Sequence, residues 1–304
     1  MYVRQCRPVW KKFMRVLVTG GSGKLGMYVL RELLDAGHEV INLDRNRPGH
    51  HRGEKMWTRT YIADLQNAGD VLDVLMQVRP EGVVHLAANP APHVVARHRQ
   101  FLDNAGGCQL VFQGAADVGV KRIVYASSEQ ANGWSSAEEC PPAIPFNETH
   151  MRTPIGTYAL TKLLGEQILE SVTASTPGLS SASLRINAVW REDDIEWWLK
   201  HMHRWPGLHA NLWAYCEAAD TARAFRLALE ADIPGHHAYM VASADSAVQL
   251  PTREAVAKFF GPGIAVADDL AEFGSTVDCS LVYKELGWKS SYSWRNHAEG
   301  ASVD

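Results

Sequence analysis

The sequence has little that would close a fold covalently or hold it in a membrane. Its five cysteines, Cys6, Cys108, Cys140, Cys216 and Cys279, are odd in number and include no C-x-x-C pair. That pattern argues against a disulfide framework or a structural zinc site and for free thiols in a reducing compartment, so a cytoplasmic location is expected. No run approaches the roughly 18 to 20 apolar residues of a membrane span, and there is no internal repeat or low-complexity tract. Neither sign of charge dominates: 30 Lys and Arg stand against 34 Asp and Glu, a net charge of −4. A weakly acidic surface argues against a general nucleic-acid binder while leaving room for a local basic pocket. Residues 1–12 carry Arg4, Arg7, Lys11 and Lys12 with no apolar stretch behind them, unlike a secretory signal. Met14 stands directly before the first apolar run, and residues 1–13 are expected to be a disordered extension or an upstream start.

What is present is an average globular composition, 46% hydrophobic and 21% charged over 304 residues, enough for one large domain or two modest ones. Short β-branched runs at 16–19, 40–44, 61–63, 83–87 and 122–127 alternate with helical-period segments at 25–36, 70–78 and 104–117. A loop rich in Pro and Ser, a strong helix at 156–172 and a sixth strand at 182–186 follow. Strands alternating with helices imply right-handed crossovers and a parallel sheet covered on both faces. Past about residue 189 the text turns aromatic and histidine-rich, with Asp220-Thr221 placed to cap a helix ending at Glu230. The expectation is an α/β fold, a Rossmann-type doubly wound parallel sheet over residues 14–188. A small substrate-side cap occupies 189–304, with elements returning to the main sheet.

Thr19-Gly20-Gly21-Ser22-Gly23-Lys24-Leu25-Gly26 follows the first strand and opens the first helix. Gly20, Gly23 and Gly26 give a tight turn, close approach of backbone to a pyrophosphate, and close packing of helix on strand. The helix N-terminus then offers free amides to phosphate. Asp44 ends the second strand near the spacing of about 20 residues expected for an acid accepting from the adenosine ribose hydroxyls. An acid there repels a 2′-phosphate and favours NAD. Arg45 and Arg47 leave NADP open, or belong to a solvated loop. Asp64-Leu65 closes the third strand, where the carboxylate meets adenine or caps the next helix.

Tyr158-Ala-Leu-Thr-Lys162 places a phenol and an ammonium on one helix face. A free phenol, with a pKa of about 10, is a poor acid or base near neutrality, and a neighbouring ammonium makes it usable. Lys162 can also hold the nicotinamide ribose. Ser128, 30 residues earlier, ends a buried strand at the carboxyl edge of the sheet, where ligands of open α/β folds bind. From there it can hydrogen-bond a substrate oxygen.

The glycine loop, Asp44, Asp64-Leu65, His85-Leu86-Ala87-Ala88, Asn104, Ser127-Ser128, Tyr158 and Lys162 recur in this order in the extended short-chain dehydrogenases/reductases, also called the NAD-dependent epimerase/dehydratase family, which the chain resembles over about 15–185. The resemblance implies a catalytic triad of Ser128, Tyr158 and Lys162. It implies NAD, with NADP possible, held by Gly20, Gly23, Lys24, Leu25, Gly26, Asp44, Arg45, Asp64, Leu65, Leu86, Ala87, Ala88 and Asn104 together with Tyr158 and Lys162. Asn104 would support the lysine through water; read without the resemblance, it is equally a helix cap. A homodimer through the helices at 104–117 and 156–172 is also implied, though their apolar stripes could equally face the sheet.

Two departures bear on the reaction. Glu129-Gln130 follows Ser128 where sugar-nucleotide dehydratases carry Asp-Glu, and Gln130 cannot transfer a proton as an acid does. After the sixth strand the chain reads Arg185-Ile186-Asn187-Ala188-Val189-Trp190-Arg191, with Ala188 where the family's Asn belongs and no Gly-Pro turn. The usual nucleotide-diphosphate contact is thereby in doubt. By resemblance to uronate dehydrogenases, Arg185 forks onto a substrate carboxylate; otherwise it is a buried ion-pair partner. Glu129 either binds substrate hydroxyls or is a solvated turn residue.

His201, His203 and His209 lack an acid or cysteine at zinc spacing, and no metal is expected. The tryptophans between Trp190 and Trp213 form either an apolar lid or the cap's core, and His93, Arg97 and His98 either border the substrate or sit on a solvated turn. The expected function is an NAD(P)-dependent oxidoreductase or epimerase acting on a small sugar-like substrate through Ser128, Tyr158 and Lys162, with no nucleic-acid or membrane partner. The alternatives are a sugar-nucleotide 4-epimerase and a catalytically idle dinucleotide sensor.

Overall fold

The computed structural model describes residues 13–51, 54, 55, 58–134, 140–201 and 211–298. The expected extension at 1–13, apart from Phe13, lies outside them, as do Cys6, His203, Trp205 and His209. Seven strands form the main sheet: β1 (Arg15–Thr19), β2 (Glu39–Asp44), β3 (Arg59–Ile62), β4 (Gly82–His85), β5 (Arg122–Ser128), β6 (Ser180–Ile186) and β7 (Gly235–Val241). Their order is β7-β6-β5-β4-β1-β2-β3, and every pairing is parallel. The helices are α1 (Lys24–Asp35), α2 (Ala68–Val78), α3 (Arg97–Phe101, Leu102–Gly106 and Gly107–Asp117 in one continuous run), α4 (Thr157–Ser175), α5 (Glu192–His201), α6 (Ala218–Glu230), α7 (Thr252–Phe260) and α8 (Ser280–Leu286). None of the described helices is long and apolar enough to cross a membrane.

The central strands are continuous apolar runs because both faces are covered. Val16 and Val18 point to α1 and α6, joining Val29, Leu30, Leu33, Phe225 and Leu229 in one core. Leu17, between them, points to the other face and packs with Val71, Leu75, Val111, Phe112 and Leu169 of α2, α3 and α4. Full burial of each such side chain contributes about 1.5–3 kcal/mol, so the period-two alternation in β1 fixes which face each helix covers. Strand order reverses between β1 and β4, where the connections leave in opposite directions and open a crevice at the carboxyl edge.

Two features differ from the sequence expectation. The helix expected at 104–117 begins at Arg97, and Leu102–Gly106 is a π-helical turn within it. β7 carries no strong strand signal because it is a sheet edge, paired only to β6, whose first half Gly235-His236-His237 is partly exposed. The C-terminal third thus contributes α6, α8 and β7 to the main body. Its remainder packs around a separate core of Trp190, Trp213, Tyr215, Met240, Val256 and Trp294.

Asp220-Thr221 does not cap α6. Glu217 does, its carboxylate accepting from the Asp220 amide at 2.8 Å, while Thr221 Oγ1 donates to the Glu217 carbonyl at 2.6 Å. The buried Asp220 carboxylate instead accepts from the amides of Ser291 and Tyr292 at 2.6 and 2.8 Å and from Arg223 at 2.8 Å. It also takes the Ser291 hydroxyl at 2.7 Å, and the Trp288 indole donates to the Asp220 carbonyl at 2.8 Å. One side chain therefore docks the C-terminal segment on α6. Asp220→Ala, which orphans several donors, is expected to lower unfolding free energy by about 3 kcal/mol in chemical denaturation; a change within experimental error would show that the segment docks independently.

Candidate active site

The glycine loop leaves β1 with Gly20 at φ +75°, a left-handed conformation that favours glycine. A Cβ on Gly20 would lie 2.6 Å from the Ala87 amide nitrogen, and one on Gly26 would collide with the Gly20 carbonyl. No larger residue fits either position, so loop, α1 and the segment after β4 close on one another through backbone alone. Asn42, a polar residue inside an apolar strand, holds the loop from beneath: its Oδ1 accepts from the Gly21 amide at 3.1 Å and its amide donates to Ser22 Oγ at 3.0 Å. Asp44 accepts from the amides of Ser22 and Asn46, both at 3.0 Å, which fixes its carboxylate at the lip of the crevice. Asp64 accepts from the Gln66 amide at 3.0 Å.

The crevice is a cavity of about 1190 Å³ running from this loop to the cap. Gly20, Gly23, Lys24, Leu25, Gly26, Asp44, Arg45, Asp64, Leu65, Leu86, Ala87 and Ala88 line one end, and Ser128, Glu129, Tyr158 and Lys162 line the middle. Asn187, Ala188, Val189, Arg191, Asp194, Trp197, Trp198 and Asn211 close the cap end. The volume exceeds the roughly 300–1,000 Å³ of a pocket for one drug-sized ligand, leaving room for a second molecule beside a dinucleotide.

α4 brings Tyr158 and Lys162 to the ends of β5. Gly165 permits the approach, since a Cβ there would sit 2.7 Å from the Tyr125 ring. The Lys162 ammonium donates to the Ala126 carbonyl at 2.6 Å and lies 5.0 Å from the Tyr125 ring centre and 5.7 Å from that of Tyr158. Burial lowers the Lys162 pKa to about 8, against the opposing fields of Cys108, Glu166 and Glu129. Tyr158 is pushed up, by burial first and by the Glu129 charge second, against a hydrogen bond with Ser128. The neighbouring ammonium thus does not by itself make the phenol acidic, and neutral phenol is the resting form here.

Glu129 is 6% exposed, not a solvated turn residue, and its Oε2 accepts from the Ser128 hydroxyl at 2.9 Å. Arg185 does not reach the cavity. Its guanidinium forks onto the buried Glu166 carboxylate at 2.9 and 2.7 Å and donates to the Glu148 carbonyl at 3.2 Å. Ser127 donates to the same Glu166. The expected substrate-carboxylate ligand is therefore a structural ion pair under the strand ends. Asn104 also lies off the cavity wall. It sits in the π-helical turn, neither a cap nor exposed, accepting from the Asn89 amide at 2.8 Å and donating to Thr161 Oγ1 at 3.2 Å. It holds the segment after β4 against α4; π turns recur at functional sites for such local re-aiming.

The tryptophans divide between the two expected fates. Trp190 and Trp213 are core, Trp190 stacking on Trp198 at 5.1 Å and on Tyr215 at 4.3 Å. Trp197, 45% exposed, and Trp198 line the cavity. His93, Arg97 and His98 do not line it. Among the described residues no group of three His, Cys, Asp or Glu could hold a metal ion.

Residues 16–242 match the model of the NAD dependent epimerase/dehydratase family. The chain belongs to that family. Curated relatives include UDP-glucose 4-epimerases of Lacticaseibacillus casei, 29% identical over 174 residues, and Lactobacillus helveticus, 30% identical over 158 residues. Those alignments cover 57% and 51% of this chain and 50% and 46% of the relatives, so the chain spans about half the length of the curated relatives it matches. Among solved structures, a UDP-glucose 4-epimerase of Thermotoga maritima with UDP-glucose superposes with a TM-score of 0.70 at 22% identity, covering 92% of this chain and 94% of that one. A short-chain dehydrogenase/reductase superfamily protein of Agrobacterium tumefaciens with bound NAD gives 0.71 at 20% identity, covering 94% and 95%. These likenesses show the fold.

Within this member of the epimerase/dehydratase family, sequence reading missed Asn42, Glu166 and the Arg191–Asp194 pair, joined by two hydrogen bonds of 2.7 Å from Nε and Nη2 to the two carboxylate oxygens. Glu166 had a signal: it stands four residues past Lys162 and eight past Tyr158, on the same face of α4.

Burial also tunes His85, which packs on Phe112 and Tyr125 and shares a 2.7 Å hydrogen bond with Thr19. Burial, then the Lys162 charge, lowers its pKa to about 3 from 6.5. Between those values the unfolded chain takes a proton that the folded one refuses, so stability falls as pH drops from 6.5 toward 3, by on the order of 4–5 kcal/mol from this group. His85→Gln is expected to flatten that part of the stability–pH curve; an unchanged slope would show that His85 is not held neutral.

Proposed function

We propose that this protein is an NAD-dependent oxidoreductase or epimerase acting on a hydroxyl or carbonyl of a sugar or sugar derivative. The observation that carries the reading is the meeting of Ser128, Tyr158 and Lys162 in the middle of a cavity whose far end is the glycine loop. The cofactor fits that end on two grounds. Gly20 and Gly26 keep a cradle clear that a Cβ would fill, and the N-terminus of α1 opens toward it. Asp44, already oriented by two amides, keeps lone pairs for ribose hydroxyls and repels a 2′-phosphate, which favours NAD; Arg45 on the same wall keeps NADP in view. We assign residues 14–188 the cofactor and catalytic groups and 189–304 mainly the substrate side.

NAD, when bound, supplies the hydride acceptor and a positive charge near the phenol. The protein moves the proton. As the phenolate, which the positive charges of Lys162 and bound NAD would favour, Tyr158 Oη would take the proton from the substrate hydroxyl on oxidation; as the phenol it would give one to the carbonyl oxygen on reduction. Lys162 holds a positive charge over the ring and has donors left for a ribose hydroxyl, and Ser128 places a hydroxyl beside the phenol. The apolar walls at Trp197 and Trp198 limit water at the reacting carbon.

A second reading, sugar-nucleotide 4-epimerase, is favoured by the relatives of that name and by the size of the cavity. Against it stand Ala188 in place of the family's Asn and the missing Gly-Pro turn; the commitment of Arg185 to Glu166 counts instead against a uronate substrate. An idle sensor would have no use for the assembled set. Following NADH formation with neutral sugars and uronates, and interconversion of UDP-glucose and UDP-galactose, separates all three; NAD binding with complete inertness supports the sensor. Tyr158→Phe is expected to cut turnover at least about 100-fold with NAD affinity unchanged, and an active Phe variant would remove the mechanism.

We also propose a cytoplasmic homodimer. Cys108, Cys140, Cys216 and Cys279 are unpaired thiols. α3 and α4 pack side by side and expose Phe101, Leu102 and Leu160, an apolar surface suited to a second copy. Light scattering should give twice 33.6 kDa, and Leu102→Asp with Leu160→Asp should give the monomer; a monomeric parent chain would refute the pairing.

A further inference from the structure

Two acceptors on the cap-end wall of the cavity have nothing to accept. Asn187 follows β6, and because Ser128 pairs with Ile186 across the sheet, Glu129 and Asn187 leave the strand ends side by side. Asn187 is 3% exposed. Its amide nitrogen donates to the Val241 carbonyl at 3.0 Å, while its Oδ1 is buried without a hydrogen-bond partner. Asn211, just before the short strand Tyr215–Glu217, repeats the arrangement: its nitrogen donates to the Ala214 carbonyl at 3.3 Å and its buried Oδ1 has no partner. A carbonyl only accepts, so in both residues the NH2 must be the end that meets it, and the oxygen is the end left over. A buried acceptor without a partner is unfavourable, and two on the wall of one cavity mark where a ligand's hydrogens belong.

Charge at this end is already matched. Arg191 is the only cation among its described lining residues, and its Nε and Nη2 each donate to one oxygen of Asp194 at 2.7 Å. Lys162, deeper in, donates to the Ala126 carbonyl and lies in the field of Glu129 and Glu166. A carboxylate or a diphosphate would have to break the Arg191–Asp194 pair or lie uncompensated near carboxylates, and like charges brought together in this way oppose binding. A hydroxyl needs no such exchange, because it brings its own hydrogen to an acceptor.

We propose that the cap end is a subsite for the hydroxyl groups of an uncharged sugar, with Asn187 Oδ1 and Asn211 Oδ1 accepting two of them. The inference rests on the oxidoreduction reading given above and narrows it, against both uronates and sugar nucleotides. Asn187, beside the strand end that carries Ser128, reads a hydroxyl close to the reacting carbon. Asn211 reads a second one from the cap.

The test compares neutral sugars with the corresponding uronates and UDP-sugars on NAD-saturated protein. kcat/KM is expected to favour the neutral sugars by at least about 100-fold; a preference for either anionic class would overturn the proposal. Monodeoxy sugars then locate the hydroxyl that Asn187 reads. Removing that hydroxyl and making Asn187→Ala should each lower kcat/KM by about tenfold or more, and together by no more than either alone. Additive losses would overturn the assignment, since a residue that only supports the fold has no reason to couple to one hydroxyl. Asp194→Asn, which releases part of the Arg191 charge, should shrink the neutral-to-anionic ratio by about tenfold; an unchanged ratio would also overturn the proposal. A second arm needs no turnover: calorimetry on the NAD-loaded Tyr158→Phe variant. Neutral sugars are expected to bind there more tightly than glucuronate or UDP, and the reverse order, or no binding of neutral sugars, would overturn the proposal. If the parent turns over no sugar of any class, the functional reading fails, and the calorimetry still decides what the subsite takes.

Discussion

The site depends on burying the Lys162 ammonium at the carboxyl end of β5, where it is 3% exposed and has lost nearly all of its water. Removing such a charge from water is unfavourable unless the surroundings replace its solvation. Here the replacements are a backbone carbonyl, the faces of two tyrosines and the nearby carboxylates Glu166 and Glu129. Each depends on another part of the fold. The carbonyl comes from a strand paired on both sides, and the Tyr125 ring is in reach because Gly165 lets α4 settle close. Glu166 is itself held by Arg185 and Ser127. A set of polar groups that would each be destabilising alone is satisfied jointly, which makes its geometry hard to vary.

The same constraint gives the cavity its two functional ends. The sheet reverses its winding between β1 and β4, so the crevice lies beside the glycine loop. Lys162 and Tyr158 arrive from α4 on the far side of that reversal. The polar anchors at the rim are fixed before any ligand arrives: Asp44 by two amides, the loop by Asn42, the segment after β4 by Asn104. Preorganisation of this kind lets binding energy act on orientation.

Local signals were legible in the sequence. The glycine triplet, the acid after β2, the serine at the end of β5 and the four-residue spacing of Tyr158 and Lys162 each follow from one element's geometry, and each lines the cavity. Side chains whose fate depends on a distant partner were not. Arg185 is a strand-end cation in sequence, and only the fold brings Glu166 beneath it. Asp220 has the look of a cap, yet segment 290–292 uses its carboxylate while Glu217 caps the helix. β7 was hidden because an edge strand needs no apolar alternation over its exposed half. Glu129 was visible next to Ser128, but its burial was not.

The most direct test is the titration of Lys162, followed through its side-chain nitrogen by NMR and assigned with Lys162→Arg. A midpoint near 8 is expected, against the ordinary 10.5 of a lysine. A midpoint near 10.5 would mean that water solvates the ammonium, and the enclosed Tyr158–Lys162 arrangement on which the proposed chemistry stands would be wrong.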